Sequence, residues 1–275
     1  AAQPHLGRSA LDAVELMSVG VNYLREHMPQ DARIHYAYLD AGGKAPNVVQ
    51  SRASVRYSIR ALKLHEMLAL VERVKKVAEG AALMTETTVE AKMFAAVSNH
   101  FENLTMDKIM QEALDELGGV PFDDADRAYP ARIRATLSPA DIAAEWSVVN
   151  QPPSDAVLCD WVVPMRPGGE VLIGSTDVGD VTWKVPTTEV LVATAAIGTP
   201  LHSWQMTAQG LSGAAHKGMT HAAKAMGRMA QILYSDPARL AEAQAEHAAR
   251  LAVTPDTCPM PADHPPPLVP RPTAS

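Results

Sequence analysis

Three histidines and two lysines are concentrated in one segment of the chain, residues 197–224, which reads IGTPLHSWQMTAQGLSGAAHKGMTHAAK. His202 follows an apolar stretch, residues 190–197, that predicts a core strand, and a Gly-Thr-Pro turn separates the two. Active sites of open α/β sheets collect where strands end, and neutral imidazole is the commonest metal ligand in proteins. His202 is therefore a candidate metal ligand, and His216, beside Lys217, is a second candidate site residue. An isolated histidine is more often a structural or surface residue, so the spacing alone does not decide between these interpretations.

A second candidate site involves an amide and a guanidinium at the two ends of an expected extended stretch, residues 48–60. Asn47 precedes this stretch and Arg60 ends it. An arginine fork together with an amide group is suited to binding a carboxylate. A strand-end arginine is more commonly solvated, and the residues by themselves leave both interpretations open.

Two aspartates in the turn at residues 175–180, Asp177 and Asp180, could serve as catalytic carboxylates. An aspartate in a Thr-Asp-x-Gly turn more often caps backbone amides, and we expect that structural role here. Other familiar signatures are absent. His65 and Glu66 begin like HExxH, but Ala69 stands where the second zinc ligand must be, and no GxSxG, GxGxxG or P-loop motif occurs.

Composition excludes several classes of protein. The formal charge of -7 and the pI near 5.8 argue against a nucleic-acid partner, which normally meets a basic face. No apolar run approaches the roughly 20 residues that a membrane-spanning helix needs. Two cysteines cannot form a disulfide framework, so we expect a cytoplasmic protein. The chain has neither an initiating Met nor a leader, and we expect it to begin within a longer protein.

Hydrophobic periodicity predicts the elements that position these residues. Up to residue 97 we expect a compact two-layer α+β unit. Its elements are a helix at 9–27, strands at 33–39 and 48–60, a helix at 63–79 stopped by Gly80, and a strand at 85–97. Beyond it we expect a helix at 104–117, an irregular connection with short helices at 120–167, core strands at 170–174 and 190–197, helices at 214–233 and 237–251, and an extended Pro-rich tail.

Five stretches of sequence carry a resemblance to a known family. They are GRSALDAVEL at 7–16, PNVV at 46–49, GSTDVGDVTWKVP at 174–186, GTPLHSWQ at 198–205 and AHKGM at 215–219. Through them the chain resembles the aminoacylase and carboxypeptidase-G-like metallopeptidases along nearly its whole length. The resemblance implies an α/β fold, in which an αβα-sandwich catalytic domain carries an inserted two-layer α+β lid that also dimerises. Residues 1–98 would then be an incomplete lid and residues 99–275 the C-terminal half of the catalytic domain.

The resemblance also implies roles for the candidate residues. His202 corresponds to the last ligand of a divalent metal pair, Zn or Mn, and Asn47 and Arg60 correspond to the lid positions that bind the substrate's free carboxylate. His216 has no counterpart of known role and stays a substrate-binding candidate. The family's other metal ligands and its glutamate general base belong to a first half that this chain lacks, so we expect no catalytic residue here.

We therefore expect a metal-dependent amidohydrolase that cleaves an N-acyl amino acid such as an aroyl-glutamate, with part of the active site missing from this chain. It would form a homodimer or hetero-oligomer through the lid. One alternative is a non-catalytic partner subunit, or a fragment, that dimerises with or completes an active homologue. Another is a small-molecule binding module that keeps the Asn47 and Arg60 carboxylate site without hydrolysis.

Overall fold

The computed structural model describes residues 3–148, 151–165 and 174–265. They divide into two compact units. The first contains residues 3–99, 174–180 and 257–265, and the second contains residues 100–148, 151–165 and 181–256. Across these described ranges, no helix combines the length and the apolar character that crossing a membrane requires.

The first unit begins with helix α1 (Ala10–Leu24), which continues as one 3-10 turn to His27. The Ser9 hydroxyl accepts a hydrogen bond from the Asp12 amide at 3.1 Å and so satisfies one of the free amides at the helix start. Val21 and Leu24 lie on the buried side of the helix. The helix predicted at 9–27 is confirmed.

Strands β1 (Arg33–Asp40) and β2 (Ser54–Arg60) form an antiparallel pair in which Ile34 lies opposite Ile59. Both isoleucines belong to the core of this unit. The prediction that strand structure starts near residue 48 is wrong. The Gln50 carbonyl accepts from the Ala10 amide at 2.9 Å, and the Gln50 side chain accepts from the Ser9 hydroxyl. Residues around Gln50 therefore bond to the start of α1 instead of to β1.

Helix α2 (Leu64–Thr85) completes this unit and is longer than predicted. Gly80 does not stop it, because Ala81 and Ala82 are buried and prolong the packed face. The helix ends instead at Glu86, whose φ of 52° is left-handed. The strand predicted at 85–97 is wrong: Thr85 is still helical, and residues 87–100 form neither helix nor strand.

Helices dominate the second unit. They are α3 (Leu104–Leu117), α4 (Asp124–Arg134), α5 (Pro139–Val148), α7 (Trp204–Gln209), α8 (Gly213–Ser235) and α9 (Pro237–Val253), and a short helix α6 (Val178–Thr182) spans the boundary between the units. The core is formed where α3 packs on α8 through Ile109, Met110, Ala113, Ala225, Met229 and Ile232. The predictions of α3, α8 and α9, and of short helices between residues 120 and 167, are confirmed.

No strand is present at residues 190–197, where one was predicted. The Ala196 amide donates to the Gln209 side-chain oxygen and the Ile197 amide donates to the Val157 carbonyl, each at 2.8 Å. These are isolated acceptors, whereas a strand needs a continuous ladder. The strand predicted at 170–174 lies outside the described residues except for Gly174, which is not in a strand. The described parts are of mixed α and β structure, with a single two-stranded sheet among them.

Candidate functional site

Arg60 is the last residue of β2 and is exposed. Its Nη2 atom donates a hydrogen bond of 3.1 Å to the hydroxyl of Ser175, in the turn that follows Gly174. No carboxylate in the described ranges forms an ion pair with Arg60. One edge of the guanidinium is therefore oriented by a neutral partner, and its remaining donors are available to an anion.

The sheet turns a basic face away from its helices. Because opposite residues of an antiparallel pair share a face, four pairs lie on the side opposite Ile34 and Ile59. These are Arg33 with Arg60, His35 with Ser58, Ala37 with Arg56 and, beyond an irregularity in β1, Asp40 with Ser54. All six residues of the first three pairs are exposed. We call Arg33, His35, Arg56, Ser58 and Arg60 the basic sheet face.

Asn47 lies in an exposed turn at residues 46–48, seven residues before β2 begins. Its expected place at a strand entrance is therefore wrong. Asn47 and Arg60 belong to the same unit, but no hydrogen bond joins them in the described structure. Arg60 is held by Ser175 and keeps unused donors, whereas no hydrogen bond from a described residue orients the Asn47 side chain.

The turn at 175–180 is held against residues 98–99 of the same unit. Asp180 accepts from the Ser98 amide at 2.9 Å, and a Cβ atom at Gly179 would lie 2.3 Å from the Ser98 carbonyl oxygen, so only glycine fits. The carbonyl of Asp177 accepts from the Asp180 amide. The structural role expected of these aspartates agrees with the contacts of Asp180, and the same contacts position Ser175.

His202 lies in an exposed turn directly before α7, not after a strand. A buried network anchors the preceding segment: Gln209 accepts from the Ala196 amide and donates to the Thr199 hydroxyl at 3.1 Å. Gly198, at φ +91°, allows the chain to approach Ile142 closely. The His202 ring makes no hydrogen bond to any described residue, so the imidazole is free to bind a ligand.

His216 is exposed in the first turn of α8, in the same unit as His202. It lines a cavity of about 210 Å³ together with Pro121, Lys217, Thr220, His221 and Lys224. His221 is buried, and its Nε2 atom hydrogen-bonds the Gly118 carbonyl, so it holds the fold together. Lys217 binds Asp123 and Asp126, and its ammonium holds the pKa of Asp123 at about 2.

These candidates do not form a metal centre by themselves. Among residues 3–148, 151–165 and 174–265, no group of three His, Cys, Asp or Glu side chains could hold an ion. His202 and His216 belong to the second unit, whereas Asn47 and Arg60 belong to the first. The described part of the chain thus offers the exposed imidazoles of His202 and His216 and a basic sheet face, without a complete metal shell.

The two tryptophans closest in sequence to the candidate residues, Trp183 and Trp204, differ in burial. Trp183 is buried and stacks on Phe101 with ring centroids 4.3 Å apart, so it belongs to the core. Trp204, at the start of α7, is 62% exposed.

Sequence reasoning missed Arg33 and Ser175. Strand alternation could have placed Arg33 on the face opposite Ile34, but only the register of the sheet places it opposite Arg60. The contact between Ser175 and Arg60 joins residues 115 positions apart, and no local pattern predicts it.

Comparison with known proteins finds similarity to hydrolases. No protein-family profile matches it. Over 129 residues it is 30% identical to the Xaa-Arg dipeptidases of Mus musculus and Homo sapiens, matches that cover 46% of this chain and 29% of each dipeptidase.

A longer match covers nearly the whole chain. Over 269 residues the chain is 43% identical to a p-aminobenzoyl-glutamate hydrolase subunit of Escherichia coli (strain K12), and this match covers 94% of the chain and 56% of that protein. The chain is therefore similar to this hydrolase subunit along nearly its whole length, and the resemblance found in the sequence motifs is confirmed. It spans about half the length of this relative.

Proposed function

We propose that this chain is part of a metal-dependent amidohydrolase that cleaves the amide bond of an N-acyl amino acid of the p-aminobenzoyl-glutamate kind. The observation that carries the proposal is the exposed Arg60 guanidinium, which has no carboxylate partner in the described structure and is oriented by Ser175. The name of the bacterial relative supplies the class of substrate.

In this proposal Arg60 binds the free carboxylate of the amino acid that is released. A guanidinium pairs with a carboxylate through two parallel hydrogen bonds, and such charge-assisted bonds contribute about 1.5–3 kcal/mol. The contact orients the amide bond and selects substrates with a free carboxyl group. Asn47, and His216 with its neighbouring cavity, remain further candidates for substrate contacts.

His202 is the metal-ligand candidate of this chain. Its exposed imidazole can supply one ligand, but a Zn or Mn pair does not fit the described residues alone, because they contain no cluster of ligands. We propose that other residues of the holoenzyme complete the site, and we assign no catalytic step to this chain. Residues 1–98 would act as the lid and dimerisation domain, and residues 99–275 as part of an αβα-sandwich catalytic domain.

The test uses the native holoenzyme that contains this chain, assayed with p-aminobenzoyl-glutamate and with its α-carboxamide analogue. Arg60→Gln should raise KM for the acid about 10- to 100-fold, because it removes binding that ground and transition states share, and should leave the amide unaffected. Arg52→Gln is the matched control, since Arg52 is an exposed arginine of the same unit outside the sheet. Equal kinetics of the Arg60 variant and the wild type on the acid would refute the carboxylate site.

A non-catalytic partner subunit is the second candidate function. Two observations favour it: the described residues contain no cluster of metal ligands, and the Escherichia coli relative is named as one subunit of a hydrolase. Metal analysis separates the two candidates. A holoenzyme in which His202 is a ligand loses bound Zn or Mn on His202→Ala, whereas a partner subunit contains no stoichiometric metal and raises the activity of a separate hydrolase.

A further inference from the structure

The end of the sheet places two arginine residues opposite each other on neighbouring strands. Arg33 lies directly opposite Arg60, and the Cβ atoms of such a pair are about 5 Å apart on the same face. Like charges in this position destabilise a sheet unless something neutralises them. Neither arginine forms an ion pair with a carboxylate in the part of the chain that the structure describes, so the protein itself provides no neutralising group there.

The Arg33 side chain is held by backbone carbonyls of the residues just before it. Its Nη1 atom donates to the carbonyls of Gln30 and Ala32, each at 2.7 Å. The Nε and Nη2 donors are not used by these bonds. Arg33 and Arg60 are thus both oriented by neutral acceptors, and each retains donors for an anion.

The surrounding face adds the positive charge of Arg56, and its carboxylate, Asp40, lies at the other end of the face, opposite Ser54. Arg56 lies two pairs along from Arg60 on the same face, with its guanidinium 5.2 Å from the centre of the Phe94 ring, and His35 lies two positions after Arg33. A concentration of positive charge on one exposed face contrasts with the chain's net charge of -7. It fits an anion that carries more than one negative charge.

We propose that Arg33 binds a second carboxylate of the substrate, so that the Arg33–Arg60 pair selects acylated amino dicarboxylic acids. This inference rests on the proposed function, in which Arg60 binds one carboxylate of the leaving amino acid. In an N-acyl glutamate the α-carboxylate and the side-chain carboxylate are separated by a short carbon chain, and two arginines that are neighbours across the strands supply one binding group for each carboxylate. Arg33 is then a specificity-determining residue.

The experiment compares three substrates in the native holoenzyme: an N-acyl glutamate, the corresponding N-acyl glutamine and the N-acyl glutamate α-carboxamide. The wild type should show a KM about 10- to 100-fold lower for the glutamate than for the glutamine compound. Arg33→Gln should remove this difference by raising KM for the glutamate compound alone. Arg33→Lys should restore only part of it, because lysine keeps the charge but lacks the fork. Arg52→Gln again controls for loss of one positive charge.

The outcomes distinguish this inference from the function on which it rests. Loss of α-carboxylate selectivity in Arg60→Gln, together with unchanged glutamate selectivity in Arg33→Gln, overturns the role of Arg33 and leaves the proposed function standing. Equal KM values of the wild type for the glutamate and glutamine compounds overturn it as well. A fold defect in Arg33→Gln would impair both substrates alike, which also counts against a specific role. If the holoenzyme hydrolyses none of the three substrates, the proposed function fails and this inference fails with it.

Discussion

Glu246 connects helices α9 and α3 of the second unit through hydrogen bonds, and its charge should contribute measurably to the free energy of unfolding. From α9, its Oε1 atom accepts the Leu104 amide at 2.8 Å, and its Oε2 atom accepts the Thr105 amide at 2.9 Å and the Thr105 hydroxyl at 2.7 Å. These amides open α3, where the helix dipole also favours a negative charge. The carboxylate thus acts as a cap supplied by a helix that is distant in sequence.

The expected effect follows from burial and charge. The Glu246 side chain is 21% exposed, so solvent screens these bonds only in part. Glu246→Gln keeps one oxygen acceptor but removes the charge, and should lower the free energy of unfolding by about 1.5 kcal/mol. For a unit of this size, that corresponds to a drop in Tm of roughly 3–6 °C. Circular dichroism during thermal and urea unfolding at pH 7 measures both quantities.

A pH series tests the cause of the effect. Burial by itself raises the pKa of Glu246, but the hydrogen bonds from Thr105 and Leu104 outweigh it and hold the pKa below its usual value of 4.5. A depressed folded-state pKa means that the stabilisation is complete above pH 4.5 and is lost as the pH falls through the folded-state value. The difference between the wild type and Glu246→Gln should therefore be full at pH 7 and disappear in acid. Glu242→Gln, one turn earlier on the exposed side of α9, is the control.

Two results would refute this reasoning. A stability difference that persists undiminished in acid would show that the ionised carboxylate is not its cause. Equal stability of Glu246→Gln and Glu242→Gln at pH 7 would show that the cap contributes nothing beyond a surface charge.

Two further predictions concern the residues around the candidate histidines. Gln209→Leu leaves the buried Ala196 amide without its acceptor, which should lower the free energy of unfolding by about 1–3 kcal/mol. Amide hydrogen exchange across residues 196–203 should become faster. Unchanged exchange would show that this network does not hold the His202 turn. Lys217→Met removes the ammonium beside Asp123, so the pKa of Asp123 should rise from about 2 toward 3.8 in an NMR titration of the carboxyl group. An unchanged pKa would show that Lys217 does not cause the low value.

Local sequence determined the helices well, because their signals lie within the helix itself. Ser9 and the apolar spacing of α1 predict that helix, and the periodic stretches that become α3, α8 and α9 do the same. The exception is Gly80, where burial of Ala81 and Ala82 outweighs the glycine's tendency to end a helix.

Strands and the candidate site depended on tertiary structure. Residues 85–97 and 190–197 have strand-like composition, but a strand exists only where a neighbour completes its ladder, and local composition does not specify that neighbour. The sequence likewise made Arg60 and His202 candidates, through residue type and position together with the family resemblance. The register that sets Arg33 opposite Arg60, and the turn that brings Ser175 to Arg60, arise only when distant segments pack together. The sequence alone therefore shows which residue types are available for binding, whereas long-range contacts decide which of those residues lie together.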